Sequence, residues 1–154
     1  MESTFSISLI CPVEGRPPLS HKVTDYLVQF IRQEILVPRQ IILADEWNVE
    51  LAIMFMPKGE FGPHKVDVYE PDVYEDVKVK TYPIAIPLDT IRQSDEPYMK
   101  TIELMYEGIF LYFTAFHKSI HAHFMQDLWE KINFDYLFSL PYPADITEQQ
   151  YIGD

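Results

Sequence analysis

An α+β fold is the architecture this chain predicts, and three features point to it. Segments with a two-residue hydrophobic period dominate the first half, a three-to-four-residue period takes over from Pro97, and 47% hydrophobic residues, 22 of all residues being aromatic, supply a core. The expected arrangement is a single domain over residues 1–140, with a surface tail at 141–154. It is expected to be an antiparallel sheet of about four to five strands on which an N-terminal helix and C-terminal helices pack.

Thr4–Ile10 alternates, with Phe5, Ile7 and Leu9 on one face and Thr4, Ser6 and Ser8 on the other, as in a half-buried strand. Three prolines and Gly15 between Pro12 and Leu19 suit neither helix nor ladder, so a loop follows. Ser20 can cap a helix in which Val23, Leu27, Phe30, Ile31 and Ile35 lie opposite Lys22, Asp25, Gln29 and Arg32, and Pro38 marks its end near Leu36.

Gln40–Ala44 is a short β-prone run and Asp45–Glu46 a turn. Trp47, Val49, Leu51, Ile53 and Phe55 then alternate with Asn48, Glu50, Ala52, Met54 and Met56, making a hairpin whose second strand is central. The change of the even face to Ala, Met and Met predicts cover on both sides at its far end. A turn at Lys58–Pro63 leads to a second strand pair, His64–Tyr69 with Val77–Ile86. Pro83 lacks an N–H for the ladder, so the later strand is expected to be an edge or bulged there.

From Pro97, Ile102, Met105, Ile109, Phe113 and Phe116 form one helical stripe and Lys100, Glu103, Glu107, Thr114 and Lys118 the opposite one. Helix continues through Phe124, Leu128, Trp129 and Ile132 with a break near Ser119, since a helix beyond about 30 residues is uncommon. Leu51, Ile53 and Phe55 with Ile102, Ile109 and Phe113 are the expected core.

Twelve basic against twenty-four acidic residues give a formal charge of −12, which argues against a nucleic-acid module. The lone Cys11 allows no intrachain disulfide and fits a reducing compartment. Met1–Gly15 lacks the basic start and apolar run of a signal peptide, and the most apolar stretch, Ile109–Phe116, is far short of the roughly 20 residues that cross a bilayer. A cytoplasmic protein with no membrane partner is expected. The five glycines form no dinucleotide fingerprint, phosphate loop or nucleophile elbow, no HExxH occurs, and thiolate metal sites need more than one cysteine. No cofactor is therefore expected.

His117 and His121, four apart, would share a helix face as weak metal candidates, whereas His123 would point away and a third ligand would have to come from His64, Asp127 or elsewhere. Histidines bordering the core explain the same spacing. Cys11 with His21 as base is a nucleophile candidate, set against a small buried thiol. Glu103 and Glu107 could act as acid and base, but their place beside Lys100 reads first as a solvated helix face.

Residues 67–76, DVYEPDVYED, repeat Asp-Val-Tyr-Glu five residues apart. Asp67, Glu70, Asp72, Glu75 and Asp76 with Tyr69 and Tyr74 combine a negative field with large, low-entropy contact surfaces, the chemistry that suits a basic protein partner. A solvated hairpin tip balanced by Lys65, Lys78 and Lys80 is the plainer alternative, and the order of oxygens is not that of an EF-hand. The expected function is thus an acidic protein-binding module that occludes or scaffolds a basic partner, like a toxin-immunity protein in composition only. Alternatives are a small enzyme or metal-binding protein using His117 and His121, with His64, Glu103 and Glu107 at hand, or a structural homodimer joined by Tyr112, Phe124, Trp129, Tyr136 and Phe138.

Overall fold

Alternation at the N-terminus produces strand β1 (Phe5–Ile10) in a computed structural model that describes residues 4–10, 19–39, 48–56 and 66–140. Helix α1 (His21–Ile31) begins at Ser20, whose hydroxyl accepts the Lys22 N–H at 3.2 Å and satisfies a donor that a first turn leaves open. It buries Val23, Leu27, Phe30 and Ile31, the stripe read from spacing. Its continuation, Arg32–Leu36, widens into a π-helix that buries the adjacent Ile35 and Leu36, and the Val37 N–H donates to the Arg32 carbonyl at 3.0 Å before Pro38.

Strands β2 (Asn48–Met56), β3 (Asp67–Val68), β4 (Asp72–Tyr74) and β5 (Val79–Pro87) complete a five-stranded sheet in the order β1-β2-β5, with β3 and β4 sharing the far edge of β5. The α+β class holds, but the sheet is mixed. β1 and β2 are parallel, β2 and β5 are parallel, and β3 and β4 alone run antiparallel to β5. The helix is the reason: α1 returns the chain to the starting end of the sheet, so β2 enters beside β1 in the same direction. β3 and β4 do the same for β5. The first strand of the expected hairpin, Gln40–Ala44, lies outside the described residues; its second is β2.

Pro83 sits in an inner strand, not at an edge. The Tyr69 N–H donates to the Pro83 carbonyl at 2.9 Å, so the face of Pro83 that lacks an N–H is turned toward β3 and away from β2. Pro83 has nothing to give back to Tyr69, and β3 stops at Val68. When pairing resumes with Asp72 opposite Thr81, the register has slipped by one residue, because two residues, Glu70 and Pro71, face the single Tyr82. The irregularity expected in β5 therefore falls on its edge partner.

One face of the sheet packs against the helices. Phe5, Val49, Leu51, Ile53, Phe55, Tyr82, Ile84 and Ile86 share a core cluster with the buried residues of α1, α2 (Leu88–Arg92), α3 (Pro97–Phe116), α4 (Ala122–Trp129) and α5 (Phe134–Ser139). The expected core residues of β2 and α3 are all fully buried. Helix α3 lies close to β5 because Gly108 is at the contact: a Cβ there would come within 2.5 Å of Ile84 Cγ2. Residues 117–121 separate α3 from α4, which is the break expected near Ser119. Tyrosine hydroxyls tie the C-terminal helices down: Tyr98 donates to the Leu137 carbonyl at 2.7 Å, Tyr106 donates to the Met125 carbonyl, and Tyr26 accepts the Asn133 N–H at 2.8 Å.

On the opposite face, register partners place Ser6, Ser8 and Ile10 of β1 beside Glu50, Ala52, Met54 and Met56 of β2 and Thr81, Pro83 and Ala85 of β5. Ala52 and Ala85 on this face are buried, with 3% and 1% of their surface exposed, and Met54 and Met56 are half-buried, although none of the four belongs to the core cluster; burial therefore reaches both sides of β2 toward its far end, as its even face predicts. The expected tail at 141–154 lies outside the described residues.

Candidate functional site

The repeated Asp-Val-Tyr-Glu is laid down as the two pieces of the sheet's edge. Side chains alternate along a strand, so copies five residues apart would turn to opposite faces on a regular ladder. The one-residue slip between β3 and β4 cancels this. Val68 is opposite Ile84 and Val73 opposite Lys80, on the core side; Asp67 is opposite Ala85, Asp72 opposite Thr81 and Tyr74 opposite Val79, on the outer side. Tyr69, two residues from Asp67 and bonded to Pro83, shares that outer side. Asp67, Tyr69, Asp72 and Tyr74 therefore form one row along the outer face, next to Ala85, Pro83, Thr81 and Val79 and then Glu50, Ala52, Met54 and Met56.

This row is acidic and open. Asp72, Tyr74, Glu75, Asp76 and Glu70 are exposed, and Asp67 and Tyr69 are half-buried. Val73, Tyr74 and Val77 keep 45%, 54% and 64% of their surface in solvent, an apolar content that a purely solvated hairpin tip does not need. Partial desolvation, and then the neighbouring Asp67 carboxylate, push the Tyr69 phenol up, so it remains a neutral hydrogen-bond donor at neutral pH. The turn at Glu75–Lys78 is pinned to the sheet where the Asn48 N–H donates to the Lys78 carbonyl at 2.8 Å, while the Thr81 hydroxyl donates to Glu50 at 3.2 Å across the outer face. All seven residues picked from the repeat are thus one contiguous edge.

Among the described residues the histidines do not converge. Helix α3 ends at Phe116 and His121 precedes α4, so the four-residue spacing of His117 and His121 is not helical and their shared face is lost. His117 Nε2 lies 3.0 Å from the Tyr112 hydroxyl within a ring cluster that includes Phe113, and burial pushes its imidazole below the usual histidine range. His121 is exposed, and His123 instead faces Asp127 at 3.5 Å along α4. Among the described residues no three His, Cys, Asp or Glu side chains form a metal-holding group. Cys11 and His64 lie outside the described residues; His21 is exposed at the start of α1.

Glu103 and Glu107 do share the polar stripe of α3, and Lys100 Nζ lies 3.5 Å from Glu103. The sequence signal missed what faces them. Gln126 and Trp129 of α4 close a cleft of about 440 Å³ with Glu103, Tyr106, Glu107 and Phe110. Desolvation there pushes the Glu107 carboxyl up, with Lys100 partly opposing.

The aromatics proposed for a homodimer are divided. Tyr112 is fully buried, Phe124 carries the Arg39 guanidinium 3.8 Å above its ring, Trp129 lies half-buried in the cleft, and Tyr136 and Phe138 are exposed. They form no single open patch. Among the described residues no helix is long and apolar enough to cross a membrane. Comparison with known proteins returns no matching family model, no curated relative and no similar solved structure, so the functional reading rests on the chemistry of these surfaces.

Proposed function

We propose that this chain is a protein-binding module of the cytoplasm that holds or occludes a basic partner through its acidic edge. The observation that carries this reading is the register slip between β3 and β4, which turns Asp67, Tyr69, Asp72 and Tyr74 to one side, along Ala85, Pro83, Thr81 and Val79 of β5. Carboxylates steer a cationic partner to the surface, over about 8 Å at physiological salt, and the tyrosines supply contact area once it arrives. Glu70, Glu75 and Asp76 extend the same field around the turn. Neutralising a toxic basic enzyme by covering its site, as an immunity protein does, is one form such binding takes.

The test is comparative capture from the source cell. Wild-type chain and a variant with Asp67, Glu70, Asp72, Glu75 and Asp76 changed to amides are immobilised side by side, with folding checked by circular dichroism. A basic protein retained by the first and lost from the second supports the reading. Equal retention of every captured protein by both refutes it.

A further inference from the structure

The cleft between α3 and α4 lies in the helical layer, and the acidic edge makes no use of it. Its walls are aromatic and its rim is acidic. Tyr106, Phe110 and Trp129 supply ring surface, while Glu103, Glu107 and Gln126 supply polar atoms. The rings are held in place. The Tyr106 hydroxyl donates to the Met125 carbonyl, its ring lies 5.2 Å from that of Trp129 at 54°, and Phe134 braces Trp129 edge-on at 5.0 Å. A preorganised wall loses little freedom when a ligand arrives.

Charge decides which ligand fits. Aromatic faces are the negative part of the ring quadrupole and attract a cation within about 6 Å, and a carboxylate at the rim adds direct attraction. An anion meets repulsion from both. Lys100 pairs with Glu103, one turn before Glu107, and Glu107 itself makes no ion pair among the described residues. The volume, about 440 Å³, lies within the roughly 300–1,000 Å³ of small-molecule sites, so it admits one charged group with its alkyl stem.

We propose that this cleft binds an alkylammonium or alkylguanidinium group, with the cation over Phe110 and Trp129 and the Glu107 carboxylate as its counter-ion. The group can arrive as a free small molecule or as a lysine or arginine side chain, and the chemistry of recognition is the same. Partial desolvation, with Lys100 opposing it, already raises the Glu107 carboxyl, and a bound cation offsets that effect.

The test uses the whole chain and nuclear magnetic resonance of the Trp129 indole N–H, distinguished from that of Trp47 with a Trp47→Phe variant. Butylguanidinium is titrated against butylurea, its neutral isostere. Expected is a saturable Trp129 shift with a millimolar Kd for the cation, and binding at least about tenfold weaker for the urea. Glu107→Gln, which keeps shape and sits at an exposed position, should weaken the cation about tenfold; Phe110→Leu, which keeps apolar volume, about threefold. A capped Gly-Arg-Gly peptide and its citrulline counterpart separate the sources. A peptide about tenfold tighter than butylguanidinium assigns the group to a protein side chain, and a peptide equal or weaker assigns it to a free cation. Changing Asp67 and Asp72 to Asn should leave all of these constants unchanged, so the cleft and the acidic edge can fail separately. The proposal is overturned by equal binding of cation and urea, by indifference to Glu107→Gln, or by no saturable shift below ~100 mM.

Discussion

Replacing Gly108 by Ala tests the packing of α3 on β5, and its outcome depends on a single neighbour. The added Cβ would stand 2.5 Å from Ile84 Cγ2, 3.5 Å from Ile84 Cδ1 and 3.6 Å from Val66 Cγ1. The last two are ordinary contacts. The first requires about 0.9 Å of movement to reach 3.4 Å, and Ile84 is fully buried with its branch fixed at Cβ. Overpacking of this kind costs ~1–3 kcal/mol, against ~1 kcal/mol gained when Ala replaces Gly inside a helix. In the wild-type background the change should therefore destabilise by up to ~2 kcal/mol. Ile84→Ala removes the opposing methyl at its own cost of ~2–5 kcal/mol, and in that background Gly108→Ala should stabilise by up to ~1 kcal/mol. Urea denaturation of the four proteins, with equal m-values, yields the coupling directly. The same sign and size of effect in both backgrounds would refute the close approach of α3 to β5.

Two other perturbations probe the core and its ring cluster. Ile53→Ala or Phe113→Ala should each cost ~2–5 kcal/mol in denaturant midpoint, because both side chains are fully buried between the sheet and α3; an unchanged midpoint would misplace these faces. Burial holds the His117 imidazole below its ordinary 6.5, so the unfolded chain takes up the proton first, and the stability present above about pH 6.5 is lost as pH falls toward the folded value. Glu107, pushed up from 4.5, gives the opposite slope just above that pH, so the readout is the difference between wild type and His117→Gln, which should show the acid-side loss only in wild type.

Patterns confined to one element were legible in the sequence. Alternation in Thr4–Ile10, the stripe of α1, the stripe of α3 and the pause after it each depend on side-chain period and breakers, which a single segment carries. Strand direction was not, because a two-residue period is the same whether the neighbour is parallel or antiparallel; the strand-helix-strand order around α1 was the available clue. Pro83 signalled an irregular ladder correctly but not which strand would carry it. The acidic repeat was visible as composition. Its presentation on one face depended on the slip at Glu70 and Pro71, which is a property of two strands together. His117 and His121 misled because helical spacing was assumed across a helix end, and the Glu103–Glu107 stripe concealed a cleft whose other wall comes from α4.

The central claim is that the outer face at β3 and β4, and not the overall charge of −12, recruits a basic partner. The most direct measurement is stopped-flow association with the captured partner across a salt series, comparing two variants of equal charge. Asp67→Asn with Asp72→Asn alters the edge, and Glu130→Gln with Asp135→Asn alters exposed sites in the helical layer. Local steering predicts that the edge variant associates about fivefold more slowly at low salt and with a flatter salt dependence, while the helical-layer variant matches wild type. Equal slowing by both variants would show that net charge alone draws the partner in, and would contradict the assignment of the acidic edge as the docking surface.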